Sequence, residues 1–341
     1  MGAGLHGRIW TGAGLPTFRQ SEFWKGEHIS MAPSPGRKFR DLIATGETIL
    51  VPGAHDPLMG RILQRMGFKA VSVAGWMTAA HLVTAEPLLT MTEQVEVAHR
   101  VANAVDIPVR ADACTGYGDP IHVMRTVQEF ERAGVAGIHI EDQVFPKRAS
   151  YHRGLEHVVE LDEFLRRLEY ALKARRDKDF MIFARTDAGN AVNGSWEEAA
   201  RRARAVKALG VDGLVAMTRN KDTIERFRQA YPDNDFLLST GTYFNGLHPT
   251  ELRKYGFQLI SYPLATIIAS TAGVIKMWRG VKETGIATLD PEWAREVREE
   301  IEAAIGLPEF WEIEKETVEA MHKDYAGRTN PGYESSDQKK T

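Results

Sequence analysis

The chain predicts an α/β fold, a (β/α)8 barrel with additional C-terminal helices, and three observations carry that reading. From Phe39 onward, eight short apolar segments alternate with helical patterns. The segments are mostly apolar rather than alternating, which indicates a parallel sheet closed by helices. Three of them deliver ionisable groups at their C-terminal ends: Asp112, then Glu141 and Asp142, then Arg185 and Asp187. One shared mouth at the C-terminal ends of barrel strands explains all three; surface salt bridges would not need three strands.

The candidate strands in order are residues 48–51, 70–75, 109–113, 137–140, 180–184, 213–217, 236–240 and 258–262. Gly137-Ile138-His139-Ile140 is the clearest, because it follows the turn signal Ala133-Gly134 and ends abruptly in charge. The third strand is followed by Cys114-Thr115-Gly116-Tyr117-Gly118, a glycine-punctuated turn. Between strands, Thr90 with Glu93 and Ser195 with Glu198 stand at capping-box spacing ahead of apolar positions such as Val97, Val101, Ala199, Ala203 and Val206. Phe164, Leu165, Leu168 and Leu172 give a further helical stripe that faces the barrel.

After Tyr262 a long helical pattern runs to Gly285, and two more helices open at Asp290-Pro291 and Leu307-Pro308. Trp293, Phe310 and Trp311 give these late helices more apolar surface than the barrel needs, so they are expected to pack on another subunit. The start is glycine-rich and aperiodic, with Gly-Ala-Gly-Leu at Gly2 and again at Gly12. No strand precedes either copy and no helix follows, which argues against a phosphate-cradling loop. The expected organisation is an N-terminal arm (1–36), a catalytic barrel (37–285), C-terminal helices in subunit packing (286–327) and a polar tail (328–341).

With 341 residues and 43% hydrophobic content, one barrel can bury a large core. A net charge of -3 gives no basic field for nucleic acid. The single cysteine, Cys114, excludes an internal disulfide framework and fits a reducing compartment. The longest apolar run, near Leu264 to Ile275, is interrupted by Thr266, Ser270, Thr271 and Gly273, too short and too polar for a membrane span. No signal pattern is evident, so a cytoplasmic protein acting on small molecules is expected.

Glu141 and Asp142 at the mouth of a strand are costly unless a cation meets them. Lys147 and Arg148 arrive a few residues later on a loop, which reads as a site or as a salt bridge. His139, inside a strand, reads as a core histidine, and His55 is a weaker candidate for the mouth.

Taken together, Val51-Pro52-Gly53-Ala54-His55-Asp56, the segments 71–75, 112–118, 137–148 and 184–188, and Tyr262-Pro263-Leu264 resemble the isocitrate lyase and phosphoenolpyruvate mutase superfamily, over roughly residues 39–325. The resemblance implies a barrel whose C-terminal helices swap with a neighbouring subunit, commonly in a homotetramer. It also implies Mg2+ and an enolate of a pyruvate-like unit. A divalent ion chelated by a carboxylate and a 2-oxygen would stabilise that enolate, with Asp112 and Glu141 supplying carboxylates. Arg185 would fork onto a substrate carboxylate, backbone N–H groups around Ala74, Gly75 and Trp76 would hold further oxygens, and Lys147 and Arg148 sit on the family's mobile lid.

Three departures from the family pattern stand out. The lyase lid reads Lys-Arg-Cys-Gly-His, whereas here it reads Lys147-Arg148-Ala149-Ser150-Tyr151-His152, so the thiol acid is absent and Ser150, Tyr151 or His152 is left as proton donor, of which Tyr151 and His152 have the more suitable chemistry. The mutase Asn-Ser pair is not reproduced either. The family's Asp-Ala-Asp at the metal becomes Asp112-Ala113-Cys114, and a soft thiol there leaves Mg2+ expected and Mn2+ possible. Met217 and Thr240 stand where lyases place glutamate and asparagine, Trp76 replaces a glycine and Glu86 an aspartate. Such a pocket favours a substrate with a hydrophobic arm.

The expected activity is therefore a metal-dependent lyase cleaving a C–C bond of a substituted 2-hydroxy or 2-oxo carboxylic acid. A phosphonomutase or an oxo-acid hydrolase or decarboxylase on the same site is the alternative, and a barrel that binds a metabolite without turnover is the reading from another class.

Overall fold

The computed structural model describes residues 32–149, 151–242, 246–287 and 289–317; the expected arm up to residue 31, Ser150 and the expected tail lie outside the described residues. Eight strands are present: β1 (Ile49–Pro52), β2 (Val71–Val73), β3 (Val109–Asp112), β4 (Gly137–Glu141), β5 (Met181–Thr186), β6 (Gly213–Ala216), β7 (Leu238–Gly241) and β8 (Phe257–Tyr262). All ladders are parallel, in the order β1-β8-β7-β6-β5-β4-β3-β2. A parallel bridge between Gly53 and Ser72, with Ala54 N–H donating to Ser72 O at 2.8 Å, brings β1 back to β2 and nearly closes the barrel. The (β/α)8 expectation holds.

Two apolar cores explain the composition of the strands. Outward residues such as Val109, Ala111, Ile138, Ile140, Ile182 and Ala184 pack beneath the helices with Val97, Val101, Phe130, Phe164 and Leu168. Inward residues Ile49, Val51, Met181, Phe183, Val215 and Leu259 form a second core, and Phe39, from the helix Pro35–Ala44, packs into it. Side chains alternate across a strand, so the same strands also carry inward polar groups. Arg110 and Asp112 share a face of β3, and His139 and Glu141 share a face of β4. These strands are alternating after all, with the polar face turned into the barrel rather than to bulk water.

The helix starts follow their sequence signals in one case fully and in the other by half. Thr90 and Glu93 form a reciprocal capping box on Met91–Ala104. Ser195 Oγ accepts from Glu198 N–H, but the Glu198 carboxylate binds Arg201 and Arg202 instead of returning to the cap. Residue 75 also differs from expectation: β2 ends at Val73, and Gly75 opens the helix Gly75–His81.

The last helices are Ala265–Thr284, ended by the left-handed Gly285, then Pro291–Ala304 and Leu307–Glu316. Pro291–Ala304 lies against Pro57–Arg65, with Arg65 Nε 3.4 Å from Glu300 Oε2. Trp278, Trp293, Phe310 and Ile313 are more than half exposed on these helices.

Candidate active site

The strand ends carry a buried charge cluster. Within hydrogen-bonded register, Asp112 of β3 pairs with His139 of β4, and Glu141 pairs with Arg185 of β5. This register sets an acid beside a histidine on one rung and an acid beside a cation on another. Lys147, on the loop after β4, is only 3% exposed and sits among three carboxylates: Glu86 Oε1 at 2.9 Å, Glu141 Oε1 at 3.2 Å and Asp112 Oδ2 at 3.5 Å. Arg185 Nη1 lies 3.0 Å from Glu141 Oε2, while its Nε and Nη2 each donate to Asp187 at 2.9 Å.

Close approach needs a residue without Cβ at one point. A Cβ on Gly75 would lie 2.6 Å from Glu86 Oε1 and 3.2 Å from Asp112 Oδ2, so the two acids can converge only over glycine. Asp112 is further held by N–H donors, Cys114 at 2.7 Å to Oδ1 and Gly75 at 3.3 Å to Oδ2. Gln94, buried beneath, donates to the carbonyls of Val73 and Asp112 and locks β2 to β3 at this level.

Burial and charge split the proton affinities of the cluster. Burial alone would raise the Asp112 carboxyl, but Lys147, His139 and Arg185 together hold it well below the usual carboxylate range. Glu141 goes the other way: complete burial pushes it up to about 8, against the pull of Arg185 and Lys147. Burial opposes the Lys147 ammonium, yet Asp112, Glu141 and Glu86 hold its proton well above the ordinary lysine value. Burial keeps His139 neutral by lowering its proton affinity.

Above the cluster opens a cavity of about 390 Å³. Of the expected site residues, Ala74, Gly75, Trp76, Asp112, Tyr151, Arg185 and Met217 line it. Tyr151 donates its hydroxyl to Glu86 Oε2 and sets its ring edge-on to Trp76, centroids 6.2 Å apart. Lys147 and Glu141 lie in the charged floor beneath.

Four of the expected groups are engaged elsewhere in this structure. Arg148 turns back on its own loop, donating to the carbonyls of Pro146 and Lys147, and does not line the cavity. His152 accepts from the Ala149 N–H at 2.9 Å and packs on Tyr151, which leaves Tyr151 as the lid group at the cavity. Thr240 is fully buried against Thr218, with the hydroxyls 2.8 Å apart, and is not among the side chains lining the cavity. The Gly75 N–H and the Arg185 fork, expected to meet substrate, are engaged by Asp112 and Asp187.

Cys114 also differs from its expected part. Burial pushes its thiol up to about 12, which keeps it protonated and makes it a poor ligand. Among the described residues, no three His, Cys, Asp or Glu side chains meet in a metal-binding group. Of the three carboxylates around the Lys147 cation, Asp112 and Glu141 come from strand ends, and Mg2+ is characteristically held by one or two carboxylates, with water and substrate oxygens completing the shell. The ammonium of Lys147 nested among three carboxylates shows that this point of the barrel attracts positive charge. Asp112 and Glu141 therefore fit a divalent ion; Cys114 does not.

Several cavity residues escaped the sequence reading. Arg110 spans the barrel, donating to Ser239 Oγ at 2.8 Å and Ser261 Oγ at 2.5 Å, with its guanidinium 5.5 Å from the Phe183 ring. Its spacing of two from Asp112 was the available signal. His139 lines the cavity with Nδ1 unpartnered among the described residues, so it is no satisfied core histidine. Glu156 and Arg219 pair on the wall and come from separate loops, with no local signal. His55, by contrast, stays away from the cavity, beside Asp56 and His81.

Residues 39–282 match the family model described as phosphoenolpyruvate phosphomutase. The chain belongs to the phosphoenolpyruvate mutase/isocitrate lyase superfamily. It is 36% identical over 249 residues to a 2,3-dimethylmalate lyase of Eubacterium barkeri, covering 72% of this chain and 85% of that one. It is 39% identical over 254 residues to a probable 2-methylisocitrate lyase of Corynebacterium glutamicum, covering 72% and 81%. A solved phosphonopyruvate hydrolase complexed with oxalate and Mg2+ superposes with a TM-score of 0.74 at 25% identity, covering 84% of this chain and all of that one. As an enzyme of this superfamily, the protein has its charge cluster at the end of the barrel where such enzymes act.

Proposed function

We propose that this superfamily member is a Mg2+-dependent lyase that cleaves the C2–C3 bond of a substituted 2-hydroxy acid carrying a second carboxyl and an apolar arm on C3. The observation that carries this reading is the convergence of Glu86, Asp112 and Glu141 on one cationic point beneath a cavity whose walls include Trp76, Val215, Met217 and Leu264. Mg2+ held by Asp112 and Glu141 would supply the positive charge that stabilises a developing enolate.

The chain's own groups do the rest. Arg110 draws the substrate carboxylate toward the floor, where burial strengthens the attraction. A carboxylate of the cluster takes the 2-hydroxyl proton; the C2–C3 bond breaks and its electron pair moves onto C3 and the adjoining carboxyl. Tyr151 returns a proton to C3, in place of the lid cysteine, giving a 2-oxo acid and a carboxylic acid. Trp76 and Tyr151 cover the mouth and limit water.

A proton and phosphorus NMR time course tests this, with Mg2+ and a panel of 2-alkylmalates, methylisocitrate, oxaloacetate and phosphonopyruvate. Release of a 2-oxo acid that is abolished both by chelator and by Asp112→Ala supports the lyase. Inorganic phosphate from phosphonopyruvate alone would instead favour a hydrolase, the activity named for the superposing structure. Ligand binding without turnover of any compound would favour a metabolite-binding barrel.

The apolar face of the last three helices supports packing against further copies of the chain; we take these to assemble as a homotetramer in the cytoplasm. Sedimentation at equilibrium checks the assembly; a monomer at micromolar concentration would count against it.

A further inference from the structure

We propose that Glu156 and Arg219 form a second recognition point in the cavity, which selects a substrate arm ending in a neutral hydroxyl. This rests on the enolate-site reading above and adds what the far end of the arm must be.

Both residues line the cavity, and Arg219 Nη2 donates to Glu156 Oε1. Glu156 is 7% exposed, and its second oxygen, Oε2, is buried with no hydrogen-bond partner among the described residues. Backbone bonds hold the pair in place: Val192 N–H donates to Glu156 O at 3.0 Å, and Arg219 N–H to Thr223 Oγ1 at 2.9 Å. Arg219 follows Met217 by two residues on the segment leaving β6, so an arm that passes Val215 and Met217 is led to the pair.

The chemistry discriminates among three endings. A methyl group would leave Glu156 Oε2 unpaired, and an unpaired buried acceptor is unfavourable. A carboxylate would gain Arg219 but bring a second negative charge against Glu156, whose proton affinity burial raises against the pull of Arg219, with the nearby Asp187 adding to the rise. A hydroxyl donates to Glu156 Oε2 and can accept from Arg219, whose side chain keeps 32% of its surface exposed.

Calorimetric titration of the intact chain with Mg2+ tests the proposal on oxalate and three oxamates that share its two-oxygen head. These are N-propyloxamate, N-(2-hydroxyethyl)oxamate and N-(carboxymethyl)oxamate. The hydroxyethyl compound is expected to bind at least about tenfold tighter than either of the others, as one hydrogen bond to a charged group provides. The double variant Glu156→Leu/Arg219→Met, which leaves no unpaired charge, is expected to lose that preference while holding oxalate as before. Equal or reversed affinities in the native chain, or a preference retained by the double variant, would overturn the proposal even where oxalate binds. Failure of the native chain to bind oxalate with Mg2+ would overturn the enolate-site reading and this inference with it.

Discussion

Lys147 Nζ lies 2.9 Å from Glu86 Oε1, and this contact ties the loop after β4 to the turn that precedes the helix Met91–Ala104. The ammonium also faces Asp112 and Glu141, so one side chain neutralises acids from three separate segments. Its removal leaves three clustered carboxylates short of a countercharge, a defect of about 3–5 kcal/mol. Lys147→Ala is expected to lower Tm and turnover together. Because a divalent ion can replace the missing charge, added Mg2+ should raise Tm more in the variant than in the native protein, as differential scanning fluorimetry would show.

Metal affinity should depend on pH through Glu141. Its carboxyl, pushed by burial from 4.5 up to about 8, must lose a proton to serve as a ligand. Apparent Mg2+ affinity is therefore expected to rise as pH approaches 8, by at most about tenfold per unit, and to level off above it. The same shift sets a stability slope in the metal-free protein. The folded state holds this proton more tightly than the unfolded one, so the group's stabilising contribution is full below 4.5 and is lost as pH rises through 8. Calorimetric Mg2+ titration from pH 6 to 9 checks the affinity; Glu141→Gln should flatten the profile.

Tyr151 is half exposed and holds no part of the core, so Tyr151→Phe should leave Tm unchanged. If its hydroxyl is the proton donor, kcat should fall about 10²- to 10⁴-fold with little change in KM. A solvent deuterium isotope effect present in the native enzyme and altered in the variant would separate proton delivery from a packing role. Unchanged kcat would return the role to another lid residue.

Arg110 is a fully buried cation whose hydrogen bonds go to two serine hydroxyls, and among the described residues no carboxylate lies within salt-bridge distance. Burial accordingly lowers its proton affinity to about 10. Replacing such a cation with an apolar group of similar length should not destabilise the fold. Arg110→Met is expected to keep or raise Tm while raising KM for an anionic substrate by more than about tenfold, the size of one charged hydrogen bond. Parallel thermal melts and steady-state kinetics distinguish this from simple unfolding, in which both would fall.

How much of this was legible beforehand follows the range of the interactions. The barrel could be counted because strand, turn and cap signals are local: Gly134 before β4, Thr90 and Glu93 at a helix start, Pro291 and Gly285 at helix ends. Asp112, Glu141, Lys147 and Arg185 could be singled out because each is an ionisable residue at or just past an apolar strand. The polar face of β3 and β4 was less visible, since an inward Arg110 or His139 looks like an interruption in a buried strand.

By itself, then, the sequence determined the count of eight strands with helices between them and marked the ionisable residues at the strand ends, all of which depend on near neighbours. Tertiary structure alone decided the partners. It placed the Lys147 ammonium among three acids, turned Arg148 and Thr240 away from the cavity, kept the Cys114 thiol protonated and joined Glu156 to Arg219 across 63 residues. The physical reason is that burial and Coulomb attraction act through space, so a side chain's proton affinity and its partner are properties of the closed barrel.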